Sequence, residues 1–231
     1  MTEPGTGSSP LRIVSWNIRS LRDDRSAVVA VLRSLAPDVV ALQEAPRFLR
    51  SRARLAALAR ESGLLFCCGG RASAGTALLT ALRIDVLRSS EALLPPSPKL
   101  HRRGVALAEL RPAGSPDAWV VASVHLGLDA DERVRHAEVV RELVAAYQGE
   151  RSIVAGDLNE RPGGRAWTTL THGCRDPGEA TDAPTFPARR PQSRIDVVLV
   201  PDGAVATSRV VTGPAVAAAS DHCPVVVDLV G

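Results

Sequence analysis

The chain has 231 residues, 45% hydrophobic and 23% charged, with a net charge of +3, which suits a globular protein able to bury a sizeable core. No apolar run approaches the roughly 18–20 residues needed to span a bilayer, so no membrane span is expected. Residues 1–10 have neither a basic start nor an apolar stretch, so they read as a flexible tail and not a secretory signal, and a cytoplasmic location is expected. Cys67, Cys68, Cys174 and Cys223 have neither C-x-x-C nor zinc spacing, and a disulfide framework is not expected. The charge permits nucleic acid as a partner without demanding it. Arginine outnumbers a single lysine, Lys99, a bias that reads as codon usage ahead of phosphate recognition.

Residues 11–17 alternate apolar and polar and form a first strand ending on Asn17. Asp23 or Asp24 caps a helix through Leu35, with Val28, Val31, Leu32 and Leu35 on one face. Residues 38–44 form a second strand that finishes on Glu44. Residues 48–61 read as an amphipathic helix, with Phe48, Leu55 and Leu58 as its buried stripe and Arg47, Arg50 and Arg54 on a solvated face. From Leu64 strand follows strand, over 76–79, 86–94, 105–110 and 119–126, separated by Gly, Pro and Ser turns. Asp129 caps a helix through Tyr147.

Residues 152–159 are the stretch around which the rest is organised. Ile153 to Ala155 make a short β-branched strand, and Gly156 lets the backbone turn and leaves room for close approach. Asp157 and Asn159 follow two apart, where period-two geometry points both to one side. The plain structural alternative is an Asx turn closing the strand. A short helix over 165–170, a polar loop over 175–184 and strands over 194–200, 204–211 and 224–230 complete the chain. Helices in small groups between many strands imply two packed sheets with helices outside, in one domain over 11–231.

Polar residues recur at strand ends: Asn17, Glu44, His125, Asp157 with Asn159, Asp196, and Asp221 with His222. Rigid strand termini are good places to fix a reactive geometry. Ser15–Trp16–Asn17, Leu42–Gln43–Glu44, Val124–His125–Leu126, Gly156–Asp157–Leu158–Asn159, Arg194–Ile195–Asp196 and Ser220–Asp221–His222 occur in an order and spacing that resemble the endonuclease/exonuclease/phosphatase superfamily, also called deoxyribonuclease-I-like. The resemblance covers residues 11–230.

The resemblance implies an α/β fold, a four-layer α/β/β/α sandwich of two mixed sheets flanked by helices. It also implies hydrolysis of phosphate esters with a divalent metal, magnesium with manganese as a substitute. Such chemistry needs a hard Lewis acid, an activated water and donors for developing charge, all of which these residue types supply. By resemblance Glu44 is the principal metal ligand, with Asn17 and Asp221 nearby. Asp157 orients or deprotonates the water, Asn159 donates to the phosphate, and His222 faces the phosphate with Asp196 holding its ring. His125 is a second phosphate donor or an acid for the leaving group. Arg103 is a further candidate for the substrate phosphate. Thr76 stands where relatives often have asparagine and is carried as a weaker one.

A nuclease acting on DNA leads the functional expectations, as a monomer. A phosphatase or phosphodiesterase on a small-molecule or lipid phosphoester is the alternative, followed by a non-catalytic binding module on the same fold. A calcineurin-like metallophosphatase is disfavoured because the five histidines form no Asn-His or His-x-His pairs. Few aromatics are free to stack on bases, and residues 181–192 are expected to lie over the site and set specificity.

Overall fold

A computed structural model describes residues 10–98, 100–149 and 151–230. Apart from Pro10, the tail expected over residues 1–10 lies outside them.

Two sheets of six strands each build the fold. The first sheet holds β1 (Leu11–Asn17), β2 (Val39–Gln43), β3 (Leu65–Gly69), β4 (Ala77–Thr80), β11 (Val205–Val210) and β12 (Val225–Val230), in the order β11-β12-β1-β2-β4-β3. The second holds β5 (Ile84–Leu93), β6 (Gly104–Pro112), β7 (Trp119–His125), β8 (Ser152–Asp157), β9 (Cys174–Arg175) and β10 (Asp196–Pro201), in the order β5-β6-β7-β8-β10-β9. In each sheet one central pair is parallel, β1 with β2 and β7 with β8, and the other pairs are antiparallel. Parallel neighbours need a crossover. Helix α1 (Arg25–Leu35) provides it in the first sheet and α3 (Ala130–Ala145) in the second.

Three apolar clusters define the layers. One lies between the sheets, where Ile13, Val39, Leu78 and Val227 meet Ala106, Val121, Ile153 and Val198. A second packs α1, α2 (Ser51–Glu61) and α5 (Pro214–Ala219) on the outer face of the first sheet through Trp16, Leu32, Leu55 and Val216. The third packs α3 and α4 (Arg165–Leu170) on the outer face of the second through Leu107, Ala137, Val140 and Trp167. The result is the expected four-layer α/β/β/α sandwich. The cysteines are all free, as expected.

Asp24 caps α1 by accepting from Ser26 N and Ala27 N, and Asp129 caps α3 by accepting from Glu132 N. Helix α2 departs from expectation. Arg50 takes a left-handed φ of 60° at its N-cap, so the helix begins at Ser51, and Phe48 leaves the buried stripe to stand 72% exposed in the preceding turn. Helix α5 and the two-residue β9 were not anticipated, although the Gly213–Pro214 pair followed by alanines marks a helix start. Gly156 does not turn the chain but continues β8. A Cβ there would meet Val124 O at 2.0 Å, so its role is close approach to β7.

Candidate active site

Topology brings the polar strand ends to one edge. Because β1 and β2 run parallel, Asn17 and Gln43 end side by side, with Glu44 one residue on. In the second sheet the parallel register sets His125 opposite Asp157, and antiparallel β10 begins with Asp196 opposite Asp157 on the other side. Asp221 and His222 precede β12 at the same edge. Two bonds tie them to β1: Trp16 Nε1 donates to His222 O at 2.9 Å, and Ser220 Oγ donates to Asn17 O at 2.7 Å.

The sheets meet at Asp157, whose Oδ2 accepts from Asn17 Nδ2 at 3.0 Å. Glu44 Oε1 lies 3.5 Å from the same amide nitrogen. His125 Nε2 approaches Asp157 Oδ2 to 3.4 Å and His222 Nε2 to 3.8 Å. Asn159 lies past the strand end with a left-handed φ of 50°, so period-two geometry does not place it. Its backbone N–H donates to Asp157 Oδ1 at 2.9 Å, so the Asx turn forms. Both side chains nevertheless line one pocket of about 430 Å³, together with Glu44, Arg103, His125, Asp221 and His222.

The two histidines are in opposite states. Burial lowers the pKa of His222, but the charge and hydrogen bond of Asp196, 2.9 Å from Nδ1, override it with help from Asp157 and Asp221 and raise it to about 9. His222 is therefore an imidazolium at neutral pH, with Nδ1–H held by Asp196 and Nε2–H facing Asp157. Burial, reinforced by the positive charges of Arg103 and His222, pushes His125 well below 6.5. Arg103 Nη1 lies 3.0 Å from His125 Nδ1, and a guanidinium only donates, so Nδ1 accepts and the proton sits on Nε2. Asp157 is raised to about 6, chiefly by burial and then by Asp196, while His222 and the bonds from Asn159 and Asn17 limit the rise. A carboxylate of that pKa is ionised yet basic near neutral pH.

The carboxylates of Glu44 and Asp221 and the amide oxygens of Asn17 and Asn159 are hard donors that suit a divalent cation keeping several waters. Asp157, Asp196 and His222 also offer ligand atoms within 4.8 Å of one another. The bond from His222 Nδ1 to Asp196 ties those two to each other as a proton-holding pair.

Thr76 does not join the others. It is buried, and its Oγ1 donates to Ser73 O at 3.1 Å. Arg47, assigned to a solvated face, instead lines the pocket with Phe48 and Leu128. Sequence reasoning also missed Arg19, whose Nε lies 3.3 Å from Asp221 Oδ2 and whose pKa is raised first by Asp221. Phe186, inside the segment expected to overlie the site, sets its ring 4.8 Å from that of His222.

Residues 14–222 match the model of the Endonuclease/Exonuclease/phosphatase family. No curated protein matches the chain. Among solved structures, an endonuclease/exonuclease/phosphatase from Bacteroides vulgatus superposes with a TM-score of 0.81 at 19% identity, covering 96% of this chain and 99% of that one. A mannosyl-6-phosphatase from Bacteroides thetaiotaomicron gives 0.80 at 18% identity, covering 96% and 100%. The human Nocturnin catalytic domain with bound sulfate anion gives 0.74 at 17% identity, covering 97% and 94%. At these identities the likeness is one of fold, and the motif-bearing match over most of the sequence carries the assignment. The chain belongs to the endonuclease/exonuclease/phosphatase family of metal-dependent phosphoester hydrolases.

Proposed function

We propose that this protein hydrolyses phosphodiesters by attack of a water activated at Asp157. The observation that carries the reading is the placement of Asp157 between an imidazolium, His222, and a neutral imidazole, His125, at 3.8 and 3.4 Å. Glu44, with Asn17 and Asp221, would hold a magnesium ion, for which manganese can substitute. That ion would supply Lewis-acid stabilisation of the phosphoryl oxygens. Asp157 orients the water and takes its proton. His222 donates from Nε2–H to the phosphoryl oxygen as charge develops, with Asp196 keeping the ring cationic. His125 offers a second donor at Nε2, held in that tautomer by Arg103. Asn159 flanks the phosphate, with its amide nitrogen steadied by Leu126 O at 3.0 Å.

DNA, the substrate that leads the sequence expectations, is supported by Arg22, Arg47 and Arg103 around the pocket. Base-stacking platforms are fewer, since Phe48 and Phe186 are the aromatic residues lining it. Hydrolysis of bis(p-nitrophenyl) phosphate and nicking of supercoiled plasmid, each with and without magnesium, test the two levels of the reading. His222→Ala should lower metal-dependent turnover by about 10²–10³. Full activity in that variant, or no metal-dependent hydrolysis by the folded wild type, would refute the proposal. Nicking that requires both metal and His222 would establish a nuclease.

A further inference from the structure

Beside the catalytic pocket lies a broad groove of about 1020 Å³. The two share a wall made of Arg47, Phe48, Ala74 and His101, so they adjoin and one elongated molecule could occupy both. The surface of the groove is apolar to an unusual degree for a site handling phosphate. Leu49 is 88% exposed, Phe48 72%, Leu93 47% and Leu100 43%, and Leu128, 67% exposed, lines the adjoining catalytic pocket. Nearly half of the large hydrophobic residues exposed among those described therefore surround one opening.

The charge on this face has one sign. Arg47, Arg71 and Arg102 line the groove, and none has a carboxylate partner among the described residues. Arg52, which also lines the groove, is by contrast neutralised by Glu91 at 2.8 Å. Unpaired arginines interleaved with exposed leucine and phenylalanine match an anionic lipid surface, where apolar side chains enter the acyl boundary and guanidinium groups meet phosphates. Leucine gives a nucleic-acid base no stacking face, and a polar sugar phosphate gains nothing from an apolar wall. No helix among the described residues is long and apolar enough to cross a membrane, so this contact would be peripheral.

We propose that this groove docks on an anionic bilayer and presents a lipid phosphoester to the Glu44–His222 centre. The proposal rests on the phosphodiesterase reading for its chemistry but on the groove alone for its binding. The test is sedimentation with phosphatidylcholine vesicles, with and without about one third phosphatidylglycerol, alongside hydrolysis of the lipid and of bis(p-nitrophenyl) phosphate. Wild type should bind the anionic vesicles, less at high salt. A double variant, Leu49→Ser with Leu100→Ser, should lose vesicle affinity by about tenfold or more while its turnover of the soluble ester is unchanged. Arg71→Ala with Arg102→Ala should abolish the preference for anionic over neutral vesicles.

Failure of wild type to bind anionic vesicles, or equal binding by the leucine variant, would overturn the docking surface. So would retention of a single-stranded oligonucleotide that the leucine variant loses, with no vesicle binding. Vesicle binding without hydrolysis of either ester would support the surface and overturn the catalytic reading instead.

Discussion

Replacing Asp196 with asparagine removes a charge and leaves the shape of the site, so it isolates what holds His222 protonated. The imidazole pKa stands at about 9 against an ordinary 6.5. At ~1.36 kcal/mol per pKa unit, the fold favours the charged ring by about 3 kcal/mol. Burial opposes that state and remains in the variant, with only Asp157 and Asp221 left to counter it, so His222 in Asp196→Asn should titrate well below 9. Near pH 7.5 the cationic fraction, almost complete in the wild type, then drops, and turnover falls by about tenfold or more as the charge and the hold on the ring weaken together. Part of the loss should be recovered on lowering the pH toward about 6, until protonation of Asp157 intervenes.

The stability of the metal-free protein carries the same signature. A raised histidine pKa stabilises the fold fully below the unfolded value, about 6.5, and that contribution is lost as pH rises through about 9. The wild type should therefore weaken across that window and Asp196→Asn should not. Titration of the His222 ring by nuclear magnetic resonance, urea unfolding across the window, and kcat against pH together check the reasoning. A His222 that titrates near 6.5 in the wild type, or undiminished turnover in the variant near neutral pH, would refute it.

Two further substitutions test the rest of the site. Glu44→Gln keeps the size of the side chain but removes its charge, and the magnesium concentration for half-maximal activity should rise by at least about tenfold, read by metal titration of turnover. An unchanged midpoint would remove Glu44 from the metal site. Gly156→Ala drives a Cβ to 2.0 Å from the Val124 carbonyl oxygen of β7, a backbone atom of a central strand with little room to yield. Its stability should fall by about 1–3 kcal/mol or more, read as a lower urea midpoint by circular dichroism, and an unshifted midpoint would contradict the packing described.

Much of this centre was legible because its residues sit at the ends of elements with strong periodicity. Asn17, Asp157 and Asp196 terminate or open strands whose apolar patterns are unambiguous, Glu44 lies one residue past β2, and register alone then sets Asp157 between His125 and Asp196. What failed was extrapolation past an element's edge. Phe48 fits the apolar stripe of α2 by spacing, but a left-handed Arg50 stops the helix short of it. Thr76 precedes a strand at the expected place, yet its hydroxyl is consumed by Ser73 within its own turn. Arg19 and Phe186 reach the site from turns, where no periodicity announces direction. The charge states of the two histidines depend on Arg103 and Asp196, which lie 22 and 26 positions away along the chain, so spacing could not give them.

Strands β1 and β12 lie side by side with Leu11 opposite Leu229, so the described chain is in effect a ring. Its clasp, fastened by Trp16 and Ser220, ties the end of β1 to the Ser220–His222 segment. Joining the two ends through a short linker and opening the chain at the turn between β6 and β7 would leave every contact of the centre in place. An unclasped chain, by contrast, has neither Asp221 nor His222 held at the pocket that Glu44 and Asp157 line. On the proposed reading, hydrolysis would therefore depend on the two ends of the chain being clasped.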